Sequence, residues 1–290
     1  MYAQFDLAIP DNLASALGIL AQAGADDTRP LAGGTNLIVD LRARRERPAR
    51  VVSLGRLAEL TGIENDGRRI SIGSRTTVSD LLRAKTIARH APSLLQAANV
   101  FAGQMVRNTA TVGGNIACGS PAADLVPPLL SLDAELELRS ATGVRTVALD
   151  EYFLGYKHDA RRPDELITRI AWPCLAERAV NLFYKLGRRK GDAITITGVA
   201  VMLEISDGVC QQVRIALGAV SPVVLRTRGA EALLEGKAIT PELIDAAAQQ
   251  AVAECSPIDD VRASAEYRRL TVESLTRRLL IQAWEASTQP

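Results

Sequence analysis

Apolar residues fall at helical spacing near the start of the chain. Leu13, Leu17 and Leu20 predict a helix over 11–24 that stops at Gly24. Pro30-Leu31-Ala32 then leads into a glycine pair, Gly33-Gly34, and the apolar run 37–41 continues as a short helix or strand. Runs at 50–54 and 69–72 read as strands, with 57–63 and an Asn65-Asp66-Gly67 turn between them. Thr77 and Asp80 resemble a capping box at the head of a helix over 78–85, with Asp in place of the usual Glu. A second helix, 92–100, ends before Gly103.

The stretch 109–128 breaks this rhythm. Gly113-Gly114, bracketed by Thr109, Thr111, Asn115 and Ser120, reads as a loop that grips a ligand. Asp124 then opens the apolar run 125–132, which contains Pro127 and Pro128 and reads as a short buried helix. Strands follow at 134–139 and 145–149 around Thr142-Gly143, and again at 165–172. Pro173 and the polar stretch 176–178 mark a boundary. Beyond it, 181–186, 194–205 and 210–220 alternate or run apolar around a tight turn at Ser206-Asp207-Gly208, which predicts an antiparallel meander. The remainder is helical: 228–234, then 241–254 with Thr240 as N-cap and Pro241 at the first position, then 264–286. The chain has no internal repeat, low-complexity tract or long linker.

Length and composition narrow the class. A chain of 290 residues can bury a proper core and is expected to form two domains. With 47% hydrophobic and 23% charged residues it has an ordinary globular composition, and a net charge of +1 argues against nucleic-acid binding. The start, MYAQFDLAIPDN, lacks a basic leader, and no apolar run approaches a membrane span, so a cytoplasmic protein is expected. Cys118, Cys174, Cys210 and Cys255 are widely spaced, and only His90 and His158 accompany them. Neither a zinc ribbon nor an iron–sulfur cradle has that spacing, so reduced structural thiols and no metal site are expected.

The two glycine pairs carry the candidate chemistry. Glycine admits positive φ and lets another molecule approach its N–H groups, and successive exposed N–H groups make a concavity suited to phosphate oxygens. Two such segments suggest one diphosphate held from two sides. Neither matches GxGxxG or GxxxxGK[ST]; taken singly each reads better as a tight turn, and only the two together bring the ligand reading level with it.

Longer motifs go further. LAGGTNLIVDLR, FAGQMVRNTATVGGNIACGSPAADLVPPLLSLDAELEL, Tyr184-Lys185-Leu186-Gly187-Arg188-Arg189 and Glu266-Tyr267-Arg268-Arg269 occur in this order over nearly the whole chain. Together they resemble the flavin-carrying medium subunit of the molybdenum hydroxylases, the family of xanthine dehydrogenase and aerobic carbon monoxide dehydrogenase. The resemblance implies an α+β fold: a vanillyl-alcohol-oxidase-type FAD-binding domain over 1–176, made of two α/β subdomains at about 1–55 and 56–176, and a C-terminal domain over 177–290 with a three-stranded antiparallel sheet and a helical bundle.

It also implies site residues. Leu31, Ala32, Gly33, Gly34, Thr35, Asn36, Leu37 and Ile38 would wrap the FAD diphosphate, with side-chain bonds from Thr35 and Asn36. Thr111, Val112, Gly113, Gly114 and Asn115 would form the opposing wall. Phe101 would lie against the cofactor, or else be a core aromatic. Asp124 would accept from a sugar hydroxyl, or else cap a helix. Ile167 would make a backbone contact, or else sit in a strand core. Lys185 would stand near the flavin ring, or else be a solvated lysine. Some relatives place a flavin-shielding tyrosine where Ala193 and Ile194 stand here, which leaves Ile194 as an apolar lid. The FAD would be non-covalent, since neither glycine segment holds a histidine.

The implied partners are a small subunit with two 2Fe–2S clusters and a large subunit with molybdenum cofactor, as a dimer of heterotrimers. This chain would take up electrons and deliver them to NAD, a quinone or oxygen, with no acid–base residue of its own. Two other readings stay open from residues alone: a self-sufficient flavin reductase of the same fold, and a non-catalytic nucleotide-binding scaffold.

Overall fold

The computed structural model describes residues 4–22, 27–189 and 191–288, so the expected helix stop at Gly24 lies outside the described residues. The helix Leu13–Gln22 buries Leu13, Ala16, Leu17 and Leu20, the stripe that its spacing predicts. It packs on a small parallel sheet of β1 (Asp6–Ala8), β2 (Thr28–Leu31) and β3 (Arg50–Ser53), ordered β1-β3-β2. Val51 and Val52, on the middle strand, are fully buried.

The second sheet is antiparallel and larger. It uses β4 (Ile63–Asn65), β5 (Arg69–Gly73), β6 (Glu135–Arg139) and β7 (Val144–Ala148). After a small hairpin of β8 (Phe153–Gly155) and β9 (His158–Asp159), the long β10 (Leu166–Pro173) returns to the middle, giving the order β4-β5-β10-β6-β7. Trp172 on β10 is fully buried, and its indole N–H donates to the His90 carbonyl at 3.2 Å.

Thr77 and Asp80 form the expected capping box. The helix they open ends at Arg83, however. Ala84 turns extended, with ψ 114°, and a separate short helix, Lys85–His90, follows with Ile87 fully buried. The glycine segment expected as a loop is also different: Val112–Ala117 is a short helix with Thr111 as its N-cap.

The last third builds β11 (Val180–Gly187), β12 (Thr195–Ser206) and β13 (Val209–Gly218) into the expected meander, and a two-residue β14 (Leu225–Arg226) extends it. The helices Arg228–Leu234, Pro241–Glu254 and Ala265–Thr288 belong to the same region. They cover one face of this sheet through a cluster that includes Val201, Ile215, Ala247 and Leu279. The other face meets the first two-thirds of the chain. Phe183, Ala200 and Ala216 belong to the same apolar cluster as Leu129 and Trp172, so one core runs across the junction.

Polar ties set the register of that junction. Asn181 accepts from the Ser93 N–H at 3.1 Å and donates to Ser131 Oγ at 3.1 Å, while Gln96 accepts from the Phe183 N–H at 2.6 Å. Asp133, held at φ 51°, accepts from Arg214 at 2.7 Å and from Arg226 at 2.5 Å. Burial opposes its charge, but the two guanidinium groups outweigh burial and hold the carboxyl below its ordinary 3.8. Its stabilising effect is therefore present above that value and lost as pH falls through the depressed one. Asp133→Asn keeps a residue that tolerates positive φ. Because the side chain is 43% exposed, the expected cost at neutral pH is only about 1 kcal/mol. Denaturant melts should show that difference closing as pH falls below 3.8.

Candidate functional site

The first glycine segment leaves β2 at Leu31 and enters the helix Leu37–Arg42. Between them, among the described residues, the main-chain N–H groups of Ala32, Gly33, Gly34, Thr35 and Asn36 donate to no protein acceptor. Buried donors seldom go unpaired, so five in succession on a half-exposed bend need solvent or a ligand. Gly34, at φ 73°, makes the bend. Gly33 serves differently. A Cβ there would lie 1.8 Å from the Thr109 carbonyl oxygen, so its missing side chain lets the two glycine-bearing segments touch.

Asn36 stays exposed and donates through Nδ2 to Asp40 at 2.8 Å. Asp40 is buried and also accepts from Arg45 at 3.2 Å. Thr35 is exposed, and Leu37 and Ile38 are half-buried.

The second segment has its amides committed internally. Val112 N–H donates to the Thr76 carbonyl at 3.0 Å, Gly113 to Ser74 at 2.8 Å and Asn115 to Thr111 at 2.9 Å. Gly114 N–H donates to the capping Thr111 hydroxyl at 3.1 Å. A Cβ on Gly113 would come within 2.6 Å of Ser74 Cβ, and neither glycine has positive φ. These glycines give close packing and, at the exposed Gly114, an open surface. The Asn115 side chain accepts from the Leu125 N–H at 3.2 Å and so fixes the loop that carries Asp124.

Asp124 is buried and caps nothing: the helix Val126–Ser131 starts after it without a side-chain cap. One carboxylate oxygen accepts from Lys185 Nζ at 2.6 Å and the other from the Thr195 hydroxyl. Burial pushes the Asp124 carboxyl up, against the pull of Lys185 and Thr195. The Lys185 side chain is only 7% exposed, which removes the reading of a solvated lysine.

Phe101 is half-buried and packs against the main core, and its carbonyl accepts from Arg107 at 3.0 Å. Ile167 is buried on β10, beside a register shift. There Thr168 accepts through its carbonyl from Ser74 N–H at 3.0 Å, and Ser74 in turn accepts from Gly113. The structure thus links Gly33 to the segment before Thr111 through Thr109 and Ala110, Asn115 to the Asp124 loop through Leu125, and Asp124 directly to Lys185. Thr168, next to Ile167, meets the second glycine segment through Ser74. Sequence reasoning passed over Thr195 and Ser74, which stand in no glycine motif, and Asp40, which stands in the first motif but past its glycines.

In the loop after β11, Ile194 is 58% exposed, and Gly191 and Asp192 have φ values of 78° and 45°. Cys210 and Cys255 are buried, and burial pushes the Cys210 thiol up to about 12. Among the described residues no group of three or more His, Cys, Asp or Glu could hold a metal, and no helix is long and apolar enough to cross a membrane.

An unpartnered amide bend packed against the second glycine-bearing segment fits an anionic ligand such as a phosphate or diphosphate. The comparisons agree. Residues 3–175 match the family described as the FAD binding domain in molybdopterin dehydrogenase, and 182–283 match the CO dehydrogenase flavoprotein C-terminal domain. The chain is 34% identical over 281 residues to the carbon monoxide dehydrogenase medium chain of Hydrogenophaga pseudoflava, covering 97% of each. It is 31% identical to the xanthine dehydrogenase FAD-binding subunit of Escherichia coli O157:H7, over 95% of this chain and 94% of that one. It superposes with TM-score 0.95, at 34% identity and 99% coverage of each chain, on a solved carbon monoxide dehydrogenase from Hydrogenophaga pseudoflava, described as lacking the Mo-pyranopterin moiety of its molybdenum cofactor. The chain therefore belongs to the FAD-binding subunits of the molybdopterin dehydrogenases, a family of oxidoreductase components.

Proposed function

We propose that this chain is the electron-transfer subunit of a cytoplasmic molybdenum hydroxylase. It takes electrons from 2Fe–2S clusters on a small partner subunit and delivers them to an external acceptor such as NAD, a quinone or oxygen. A large subunit with molybdenum cofactor completes the assembly, as a dimer of heterotrimers. FAD, when bound, supplies a carrier that accepts electrons singly or in pairs. The domains run 1–176, divided near 55, and 177–290.

The observation that carries this reading is the row of unpartnered N–H groups from Ala32 to Asn36. They would hold the diphosphate, with Leu31, Leu37 and Ile38 shaping the cradle and Thr35 and Asn36 adding side-chain bonds. Thr111, Val112, Gly113, Gly114 and Asn115 would close the opposite side by shape, because the amides of Val112 to Asn115 are already bonded within the protein. Phe101 and Ile167 would bound the site. Asp124 would meet a cofactor hydroxyl with its remaining lone pairs, and Lys185 would place positive charge by the flavin.

Purification with the expected partners tests this. One flavin per chain, bleached by the substrate of the molybdenum subunit and recoloured by an added acceptor, is the expected outcome. A folded assembly without flavin would overturn the reading, and turnover by the isolated chain would favour a self-sufficient reductase.

A further inference from the structure

Lys185 and Thr195 come from neighbouring strands, yet simple pairing would not put them on one side. Lys185 pairs with Gly198 and Leu186 with Thr197, but Gly187 pairs with Thr195. The register shift leaves Ile196 as an extra residue on β12. An extra residue in one strand reverses the facing of whatever follows it along the ladder. Thr195, opposite Gly187, therefore shares the face of Lys185, two residues away. Without the shift it would point to the helical side. Gly187 has no side chain to stand between them.

The bulge is itself secured. The carbonyl of Ile196 accepts from Arg268 at 2.8 Å, and Arg268 is 2% exposed. The same guanidinium donates to the Ala219 carbonyl at 2.6 Å and to Asp260 at 2.8 Å. A buried arginine in the last helix thus holds the irregularity that aims Thr195.

We infer that Thr195 is a positioning residue of the cofactor site: its hydroxyl fixes one oxygen of Asp124, so that the other holds the Lys185 ammonium in one place. This rests on the reading that Lys185 stands beside the flavin. Asp124 has two buried oxygens and two donors, one for each. A carboxylate held at only one oxygen can swing about its own bond. Held at both, it gives Lys185 a single geometry. Both donors come from the meander and the acceptor from the loop tied to Asn115. Seating of the C-terminal sheet and placement of the cation are therefore one event.

The test uses the assembled, flavin-loaded protein and reads the flavin reduction potential and the FAD dissociation constant. Thr195→Val keeps the shape and removes the hydroxyl, and Thr195→Ser returns it. The reference is the double variant Asp124→Asn/Lys185→Met, which removes the cation without stranding a buried charge. The reference is expected to lower the potential, because a cation favours the reduced, anionic flavin. Thr195→Val should lower it by part of that shift and weaken FAD about tenfold, the weight of one hydrogen bond to a charged group. Thr195→Ser should match the wild type. A melting curve taken alongside separates lost position from lost fold, and Thr195→Ala supplies the same readout if valine disturbs the strand. If the reference shifts the potential while the valine and alanine variants do not, Thr195 is structural only and the inference fails by itself. If the reference shifts nothing, Lys185 is not beside the flavin, and both readings fall.

Discussion

Gly33→Ala is expected to give a protein that retains little FAD and melts well below the parent, the largest effect of any single methyl in this chain. The added Cβ would lie 1.8 Å from the Thr109 carbonyl oxygen, 2.6 Å from its carbon and 3.2 Å from Ala110 Cα. All three are backbone atoms, so no side chain can rotate aside, and the two segments must part. Overpacking of this kind costs about 3 kcal/mol. Parting them also displaces the five free amides from Ala32 to Asn36 relative to the second glycine segment. Gly114→Ala makes the contrast. Its Cβ would meet one side-chain atom, Thr111 Oγ1, at 2.8 Å. The loss there is the cap, about 1 kcal/mol, with flavin largely kept. Flavin content by absorbance and melting temperature check both variants. Stoichiometric flavin in Gly33→Ala would mean that the two segments do not form one cradle.

This difference between the glycines marks the limit of one-dimensional reading. The doublets Gly33-Gly34 and Gly113-Gly114 look alike in sequence, and a shared role in gripping a ligand by main-chain amides is the natural inference. In the folded chain only the first leaves its amides free. The second starts a helix, because Thr111 is a strong N-cap and Ser74 and Thr76 on a distant segment accept the next N–H groups. Local signals were sound where the physics is local. Thr77 with Asp80, Thr240 before Pro241, and the Leu13/Leu17/Leu20 stripe all read correctly. They failed where a distant surface decides, as at Ala84, where the chain breaks its helix and the next short helix buries Ile87. Thr195 was invisible for the same reason. Its value depends on a one-residue register shift held by an arginine 72 positions away.

Lys185→Met should be the costliest change at the junction, and its cost should depend on pH in a definite direction. Removing one partner of a buried ion pair strands the other, a loss of about 3–5 kcal/mol. Lys185 and Asp124 are 7% and 9% exposed at their side chains, so solvent does little to relieve the charge. Burial already raises the Asp124 carboxyl above its ordinary 3.8, and Lys185 is the main force opposing that rise. With a raised folded value, the native state binds this proton more tightly than the unfolded chain. Its contribution is then complete below 3.8 and declines as pH climbs through the folded value. Methionine at 185 lifts that folded value further, so the decline extends to higher pH. Denaturant unfolding should find the variant far weaker than the parent at neutral pH and closer to it in mild acid, where Asp124 takes a proton and its buried charge disappears. Asp124→Asn in the same background should recover most of the loss at neutral pH by the same route. A deficit of equal size at every pH would show that Asp124 is not left charged, and that Lys185 acts at the junction by packing alone.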